Sequence, residues 1–204
     1  ENSTGNKCNI AAFIFEPLVQ GTAGMQMCDS KALDQLMQIC KKHKVITIAD
    51  EVMTGFGRTG KFFAVDYLQQ QPDVMCFSKG ITGGFMAMGL TTCTEEIFLT
   101  FLSSNKLKTL FHGHSYTANP ISCAAALASL DLMESAATFE NIERISNKHK
   151  IFASSLANRS LVIRHLGTIL ALEIVTNEHT SYFSNLRDEM YRFFISKGVL
   201  LRPL

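Results

Sequence analysis

The chain has 204 residues, 47% hydrophobic and 18% charged, with 19 Lys+Arg against 18 Asp+Glu and a net charge of +1. That composition excludes intrinsic disorder, which needs low hydrophobicity and high net charge, and offers no global field for nucleic acid or an anionic membrane. No run approaches the roughly 18 uncharged apolar residues of a spanning helix. A length near 200 predicts one to two domains.

The ends, Glu1-Asn2-Ser3-Thr4 and Leu200-Leu201-Arg202-Pro203-Leu204, read as those of a piece of a longer chain. The first has neither the basic start nor the apolar run of a signal peptide. The last stops in what reads as the start of a strand. Six cysteines are widely spread without a CxxC pair, which argues against a zinc ribbon. Four lie in apolar surroundings and predict buried thiols in a reducing, cytoplasmic setting.

Residues 10–15 (IAAFIF) form a continuous apolar run and predict a strand buried on both faces. A loop is expected over 20–29, with Asp29 or Ser30 capping a helix over 31–43. There Leu33, Leu36, Met37, Ile39 and Cys40 recur at helical spacing before Lys41, Lys42 and His43. Residues 45–49 (VITIA) predict a second strand, delivering Asp50-Glu51 at its carboxyl end. A glycine-rich loop follows over 55–60. Residues 74–77 predict a third strand, ending at Ser78-Lys79-Gly80, and 87–92 a fourth.

Residues 121–133 predict an Ala-rich helix, with Asn119 as cap and Pro120 at its first position. A more polar helix is expected over 138–156. Strands over 161–166 and 169–175 and a helix from about 182 to 197, ended by Gly198, complete the series. Alternating strands and helices imply an α/β fold with a mainly parallel sheet. The division expected is 1–135 for a larger unit and 136–204 for a smaller one. Ligands in such sheets collect at the carboxyl ends of strands, so the polar residues there are the first functional candidates.

One motif is a decoy. Gly55 to Lys61 fits G-x-x-x-x-G-K, but Phe62 stands where a phosphate-binding loop needs Ser or Thr for magnesium. The glycines read instead as suppliers of positive φ in a turn-rich loop. Asp50 follows five uncharged residues, four of them apolar, so its carboxylate is expected to be half-buried. A surface acid or cap is the plain alternative. Lys79 has the same placement, and a salt bridge or solvated tip is its plain alternative. A lysine at a strand end beside a half-buried acid is also what imine chemistry requires, since desolvation frees the amine to attack a carbonyl.

Four strings occur in order: Glu16-Pro17-Leu18-Val19-Gln20-Gly21; Asp50-Glu51-Val52-Met53-Thr54-Gly55-Phe56-Gly57-Arg58-Thr59-Gly60; Ser78-Lys79-Gly80; and His112-Gly113-His114-Ser115-Tyr116-Thr117-Ala118-Asn119-Pro120. Together they resemble the class III (omega) aminotransferases, which are pyridoxal-phosphate enzymes of fold type I. The resemblance covers nearly the whole chain. It implies the later part of the large cofactor-binding domain, followed by part of a small α+β C-terminal domain. It also implies pyridoxal 5′-phosphate as cofactor. Lys79 is then the residue that bonds the cofactor's aldehyde and shuttles the proton, Asp50 the partner of the pyridine nitrogen, and Val52 a packing surface for the ring.

Ser115 stands where relatives usually carry Thr for a hydroxyl contact to the cofactor phosphate across a homodimer interface; Thr117 competes for that role. His112 and His114, at i, i+2 spacing without a supporting carboxylate or cysteine, read as loop-shaping residues, and no metal is expected. The strings over 82–92 and 112–120 are most similar to the biotin-pathway members. That implies S-adenosylmethionine as amino donor and 8-amino-7-oxononanoate as acceptor. Arg202 matches the arginine that receives the substrate carboxylate, for which a planar guanidinium is suited. Arg58 and Gly113 are weaker substrate candidates. Another omega-aminotransferase, or a non-catalytic form that keeps the fold, stays open. The family's glycine/serine-rich phosphate turn and its ring-stacking aromatic have no counterpart in this sequence.

Overall fold

The computed structural model describes residues 10–156, 161–174 and 185–201. Its centre is a four-stranded sheet in the order β1-β4-β5-β6, built from β1 (Ala12–Phe15), β4 (Ile46–Asp50), β5 (Val74–Phe77) and β6 (Leu90–Cys93). The first three strands are parallel, and between β4 and β5 lies a loop with one 3-10 turn rather than an α-helix; β1, with Ile14 exposed, is not buried on both faces as its apolar run predicts. β6 runs antiparallel to β5, so the sheet is mainly rather than wholly parallel, as expected. No helical crossover separates the two. The connection is a single 3-10 turn (Lys79–Thr82) followed by Gly83 and Gly84 at φ of 60° and 81°, and it folds the chain straight back.

The segment 20–29 is not wholly loop. A short antiparallel pair, β2 (Val19–Gln20) and β3 (Gln26–Met27), occupies it. Two residues per strand are too few to leave an alternating pattern. Helix α1 (Ser30–Lys42) begins where Asp29 accepts a hydrogen bond from the Ala32 amide at 3.0 Å. It buries Leu33, Met37 and Cys40, one stripe at helical spacing. Helix α2 (Glu95–Phe101), which the pattern does not predict, leads away from the sheet edge. α3 (Pro120–Met133) has Asn119 as its cap, bonded to the Ile121 amide at 2.9 Å. α4 (Ala136–Ser155) follows after Ser135.

A hairpin, β7 (Leu161–Leu166) and β8 (Ile169–Ile174), and α5 (Asn185–Ser196) complete the described chain. Gly198 at φ 72° closes α5 as expected. Residue 175 and the expected start of the last helix at 182 lie outside the described residues, as does Arg202. Among the described residues no helix is long and apolar enough to cross a membrane.

The core collects Phe15, Leu18, Val19, Leu33, Met37, Ala49, Ala64, Val65, Leu68 and Ile169. Ile169 is notable because it comes from the hairpin, which therefore packs into the core of the sheet unit. Arg164 adds polar ties: its guanidinium donates to the Gly24 and Met25 carbonyls at 2.8 and 3.0 Å and pairs with Glu173 at 2.6 Å. Of the five described cysteines, all free thiols, only Cys40 is buried; Cys28 and Cys93 are exposed. Both lie at the margins of the sheet unit, Cys28 beside the short hairpin and Cys93 at the end of edge strand β6, so the expectation of four buried thiols does not hold.

The hairpin tip rests directly on the loop 55–60. Thr168 donates its amide and hydroxyl to the Arg58 carbonyl at 3.0 and 3.1 Å. Gly167, at φ 56°, lies so close that an added Cβ would stand 2.2 Å from the Thr59 carbonyl carbon. Left-handed φ in a residue with a side chain costs about 1–2 kcal/mol, and here a backbone clash is added. Gly167→Ala is therefore expected to destabilise the protein by about 2 kcal/mol or more. A denaturant midpoint equal to the wild-type value would contradict this packing.

Candidate active site

Strand pairing builds the site. Asp50 is the last residue of β4 and stands in register with Cys76 of β5, and the Glu51 amide donates to the Cys76 carbonyl at 2.9 Å. The carboxyl ends of two adjacent parallel strands therefore lie side by side, about 4.8 Å apart. Asp50 ends one of them, and Lys79 follows Cys76 by three residues on the other. The register places the ends of the two strands that carry Asp50 and Lys79 next to each other.

Asp50 is half-buried as expected. Its Oδ1 accepts the Val52 amide at 3.0 Å, which also fixes Val52 beside it. Oδ2 accepts no bond among the described residues. Lys79 is exposed and sits at φ 46°, a left-handed backbone unusual for a residue with a side chain. Its Nζ has no hydrogen-bond or ion-pair partner among the described residues, so no salt bridge is seen, while its exposure matches the solvated-tip alternative.

The turn carrying Lys79 is held from several sides. Ser78 donates to the Met88 carbonyl at 2.7 Å and Thr82 to the Met86 carbonyl at 2.5 Å. Ser129 of α3 donates to the Gly80 carbonyl at 3.3 Å. Gly80 itself is pressed against Phe56, where a Cβ would come within 2.9 Å of the Phe56 Cβ. The glycine-rich loop 55–60 thus braces the lysine turn. Gly57 and Gly60 supply φ of 80° and 103°, as the turn reading of the decoy motif requires.

Beneath the loop lies a residue the sequence reading passed over. Glu51 has no exposed surface at all. Its Oε1 accepts the Val65 amide at 2.8 Å and its Oε2 the Thr54 hydroxyl at 2.5 Å. Burial pushes its carboxyl above the ordinary range, against the lowering effect of the Thr54 hydroxyl and the Val65 and Ala64 amides; nearby Asp66 adds a smaller upward push. The available signal was an acid with Thr three residues on, inside an otherwise apolar and glycine-rich string. Tyr67, which donates to the Thr59 carbonyl at 3.0 Å, is likewise raised by burial and then by Asp66.

The remaining candidates lie apart from this frame. Ser115, Gly113 and Thr117 are in an exposed segment before α3. Thr117 Oγ1 accepts the His114 amide at 3.0 Å, while the Ser115 hydroxyl has no partner among the described residues. His114 Nδ1 accepts the Tyr116 amide at 3.1 Å, which is the loop-shaping role expected of it. Among the described residues no group of three potential ligands could hold a metal ion. Arg58 is exposed, and its carbonyl rather than its guanidinium makes the contacts described.

Two sizeable cavities lie away from Asp50 and Lys79. One of about 650 Å³ sits between the loop 59–60, α4 and the hairpin tip, lined by Thr59, Tyr67, Phe139 and His165 among others. The other, about 630 Å³ and strongly apolar, is lined by Phe56, Phe63, Met75, Phe77 and Leu130 among others. Met75 and Phe77 alternate with Cys76, so that groove belongs to the sheet face opposite Asp50.

Because Glu51 binds protons more readily folded than unfolded, its contribution to stability falls as pH rises above the ordinary value of 4.5 toward its raised native value. Glu51→Gln removes that titration. The stability difference, wild type minus variant, is expected to drop as pH climbs through this window, by about 1.4 kcal/mol for each pH unit of elevation. Parallel pH profiles of chemical denaturation would contradict it.

Residues 3–204 match the family described as aminotransferase class-III. The adenosylmethionine-8-amino-7-oxononanoate aminotransferase of Synechococcus elongatus is 44% identical over 199 residues, covering 96% of this chain and 46% of that protein. The protein of the same description from Anoxybacillus flavithermus is 39% identical over 205 residues, covering 96% and 44%. In structure, the adenosylmethionine-8-amino-7-oxononanoate aminotransferase of Methanocaldococcus jannaschii superposes with a TM-score of 0.84 at 34% identity, over 93% of this chain and 46% of that one. An (S)-enantioselective omega-transaminase from Thermomicrobium roseum gives 0.82 at 29% identity, over 95% and 44%. The chain spans about half the length of the curated relatives it matches, and it belongs to the class III aminotransferases.

Proposed function

We propose that the protein is a pyridoxal-phosphate-dependent aminotransferase of biotin biosynthesis, moving an amino group from S-adenosylmethionine to 8-amino-7-oxononanoate to give 7,8-diaminononanoate. One observation carries the chemistry: a half-buried carboxylate and an amine with no partner among the described residues stand at the carboxyl ends of neighbouring parallel strands. The residues fit the cofactor. Asp50, already oriented by the Val52 amide, has Oδ2 available for a protonated pyridine nitrogen. Lys79 has a free amine for the aldehyde. Bound there, pyridoxal phosphate supplies a ring that withdraws electrons from a carbon losing its proton.

The protein's own groups do the rest. Asp50 keeps a proton on the ring nitrogen by favouring the charged pair. Lys79 would hold the cofactor through its aldehyde and, once displaced by the substrate amine, its free amine would carry the proton between the substrate's α-type carbon and the cofactor's C4′. Val52 packs on the ring face. The Ser115 hydroxyl, exposed and without a partner among the described residues, supports the reading of a phosphate contact across a homodimer, with Thr117 already engaged locally. Arg202 is assigned the substrate carboxylate, with Arg58 and Gly113 as further substrate contacts. The substrate pair rests on the names of the relatives at 34–44% identity; the likeness to the Thermomicrobium roseum enzyme supports the reaction class rather than the substrate. We place the protein in the cytoplasm and divide it into a large-domain part, 1–135, and a small-domain part, 136–204.

Borohydride reduction of the gene-encoded protein with pyridoxal phosphate, followed by peptide mapping, should put the phosphopyridoxyl group on Lys79 and abolish labelling in Lys79→Ala. A label elsewhere, or none, refutes the assignment. Arg202→Ala should raise KM for the keto acid at least tenfold with a smaller change in kcat, as loss of a bidentate carboxylate contact predicts. An unchanged KM removes Arg202 from the substrate site.

A further inference from the structure

We propose that Glu51 is a positioning residue that sets the separation of Asp50 and Lys79; the inference rests on the reading of those two residues given above. Four bonds converge on Glu51. Its amide donates to Cys76 of β5 at 2.9 Å, and its carbonyl accepts the Gly55 amide at 3.0 Å. Its carboxyl oxygens accept the Val65 amide at 2.8 Å and the Thr54 hydroxyl at 2.5 Å. One fully buried residue therefore joins the end of β5, the loop 52–60 and the 3-10 turn Ala64–Tyr67.

Two routes lead from this clamp to the reacting pair. The first is covalent, since Asp50 precedes Glu51 directly. The second runs through the loop. Bonds at Thr54 and Gly55 fix the start of the turn that places Phe56, at φ 56°, against Gly80, next to Lys79. Gly80 leaves no room for slack: even a Cβ there would meet Phe56 at 2.9 Å. Loosening Glu51 shifts the Asp50 end of the site and releases the brace on the Lys79 end together. An acid with no exposed surface is costly to keep, and its two side-chain oxygens are spent on loop and turn rather than on a charged partner. Apolar packing would fill the same space but could not hold the Thr54 hydroxyl and the Val65 amide at once.

A residue that only fills the core would lower stability and leave cofactor retention alone. In the gene-encoded protein, pyridoxal phosphate Kd, the pH profile of the bound cofactor's absorbance and the melting temperature separate the cases. Glu51→Ala is expected to weaken pyridoxal phosphate binding at least tenfold and to displace the pH profile. Glu51→Gln, which keeps an acceptor for Val65 and leaves the Thr54 hydroxyl free to turn and accept, should stay within about threefold of wild type. Thr54→Val removes one bond with nearly unchanged volume, and guards against a Glu51→Ala protein that does not fold; it should weaken binding at least threefold. Lowered melting temperatures with wild-type Kd and pH profile in Glu51→Ala or Thr54→Val overturn this inference alone. A wild-type protein that takes up no pyridoxal phosphate, or carries it away from Lys79, overturns the functional reading and this inference together.

Discussion

The hydrogen-bonded register between β4 and β5 is the constraint on which the rest depends. Asp50 opposite Cys76 is a backbone fact, set by the bonds of a parallel ladder. A slip of one residue would turn Asp50 to the opposite face and carry Ala49, now fully buried, out of the core. The apolar residues of the two strands therefore hold the chemistry in place. The burial of Ala49, Phe77 and their neighbours fixes the register, and the register fixes that the strands carrying the acid and the amine end side by side.

Around that ladder the molecule uses close backbone approach. Gly80 lies against Phe56 and Gly167 against the Thr59 carbonyl, while the Thr168 amide and hydroxyl hold the Arg58 carbonyl. The two glycine contacts each need a position without a side chain, and all three join segments far apart in sequence. The string from Gly55 to Gly60, which mimics a nucleotide loop on paper, is a junction: its start braces the lysine turn and its end seats the hairpin tip. Its resemblance to a phosphate loop comes from the shared need for positive φ, not from shared chemistry.

Much of this was legible from the residues. The apolar runs at 10–15 and 45–49 and the short run at 74–77 mark strands, although Ile10 and Ile14 are exposed, so the first is not buried on both faces as its sequence predicts; Asp50 and Lys79 follow from where the other two end. Asp29 and Asn119 act as caps where capping chemistry puts them. What was not legible depends on distance in space. The direction of β6 is decided by a compact turn whose geometry no periodicity encodes. The pair β2 and β3 is too short to show a pattern. α2, with Thr94 as its cap and Glu95-Glu96 in its first turn, carried start signals but only seven residues of mixed aromatic and β-branched character. Glu51 was hidden because a charged residue beside a strand end reads as exposed; its burial depends on Thr54 and on Val65, fourteen positions away.

The backbone at Lys79 shows how such a site is sustained. A residue with a side chain at φ 46° costs about 1–2 kcal/mol relative to an ordinary conformation. Phe56 at φ 56° carries a similar cost, and the two touch through Gly80. Neither conformation would persist in an isolated loop. Here Ile81 and Thr82 are buried, the Gly80 carbonyl is held by Ser129, and the residues behind Phe56 are tied to Glu51. The surroundings over-determine the turn, which is the condition under which strain survives at a working site. The gain is direction: a turn that simply continued the strand would carry the chain onward, whereas the left-handed step at position 79 folds it back at the carboxyl end of β5, beside the end of β4 that Asp50 closes.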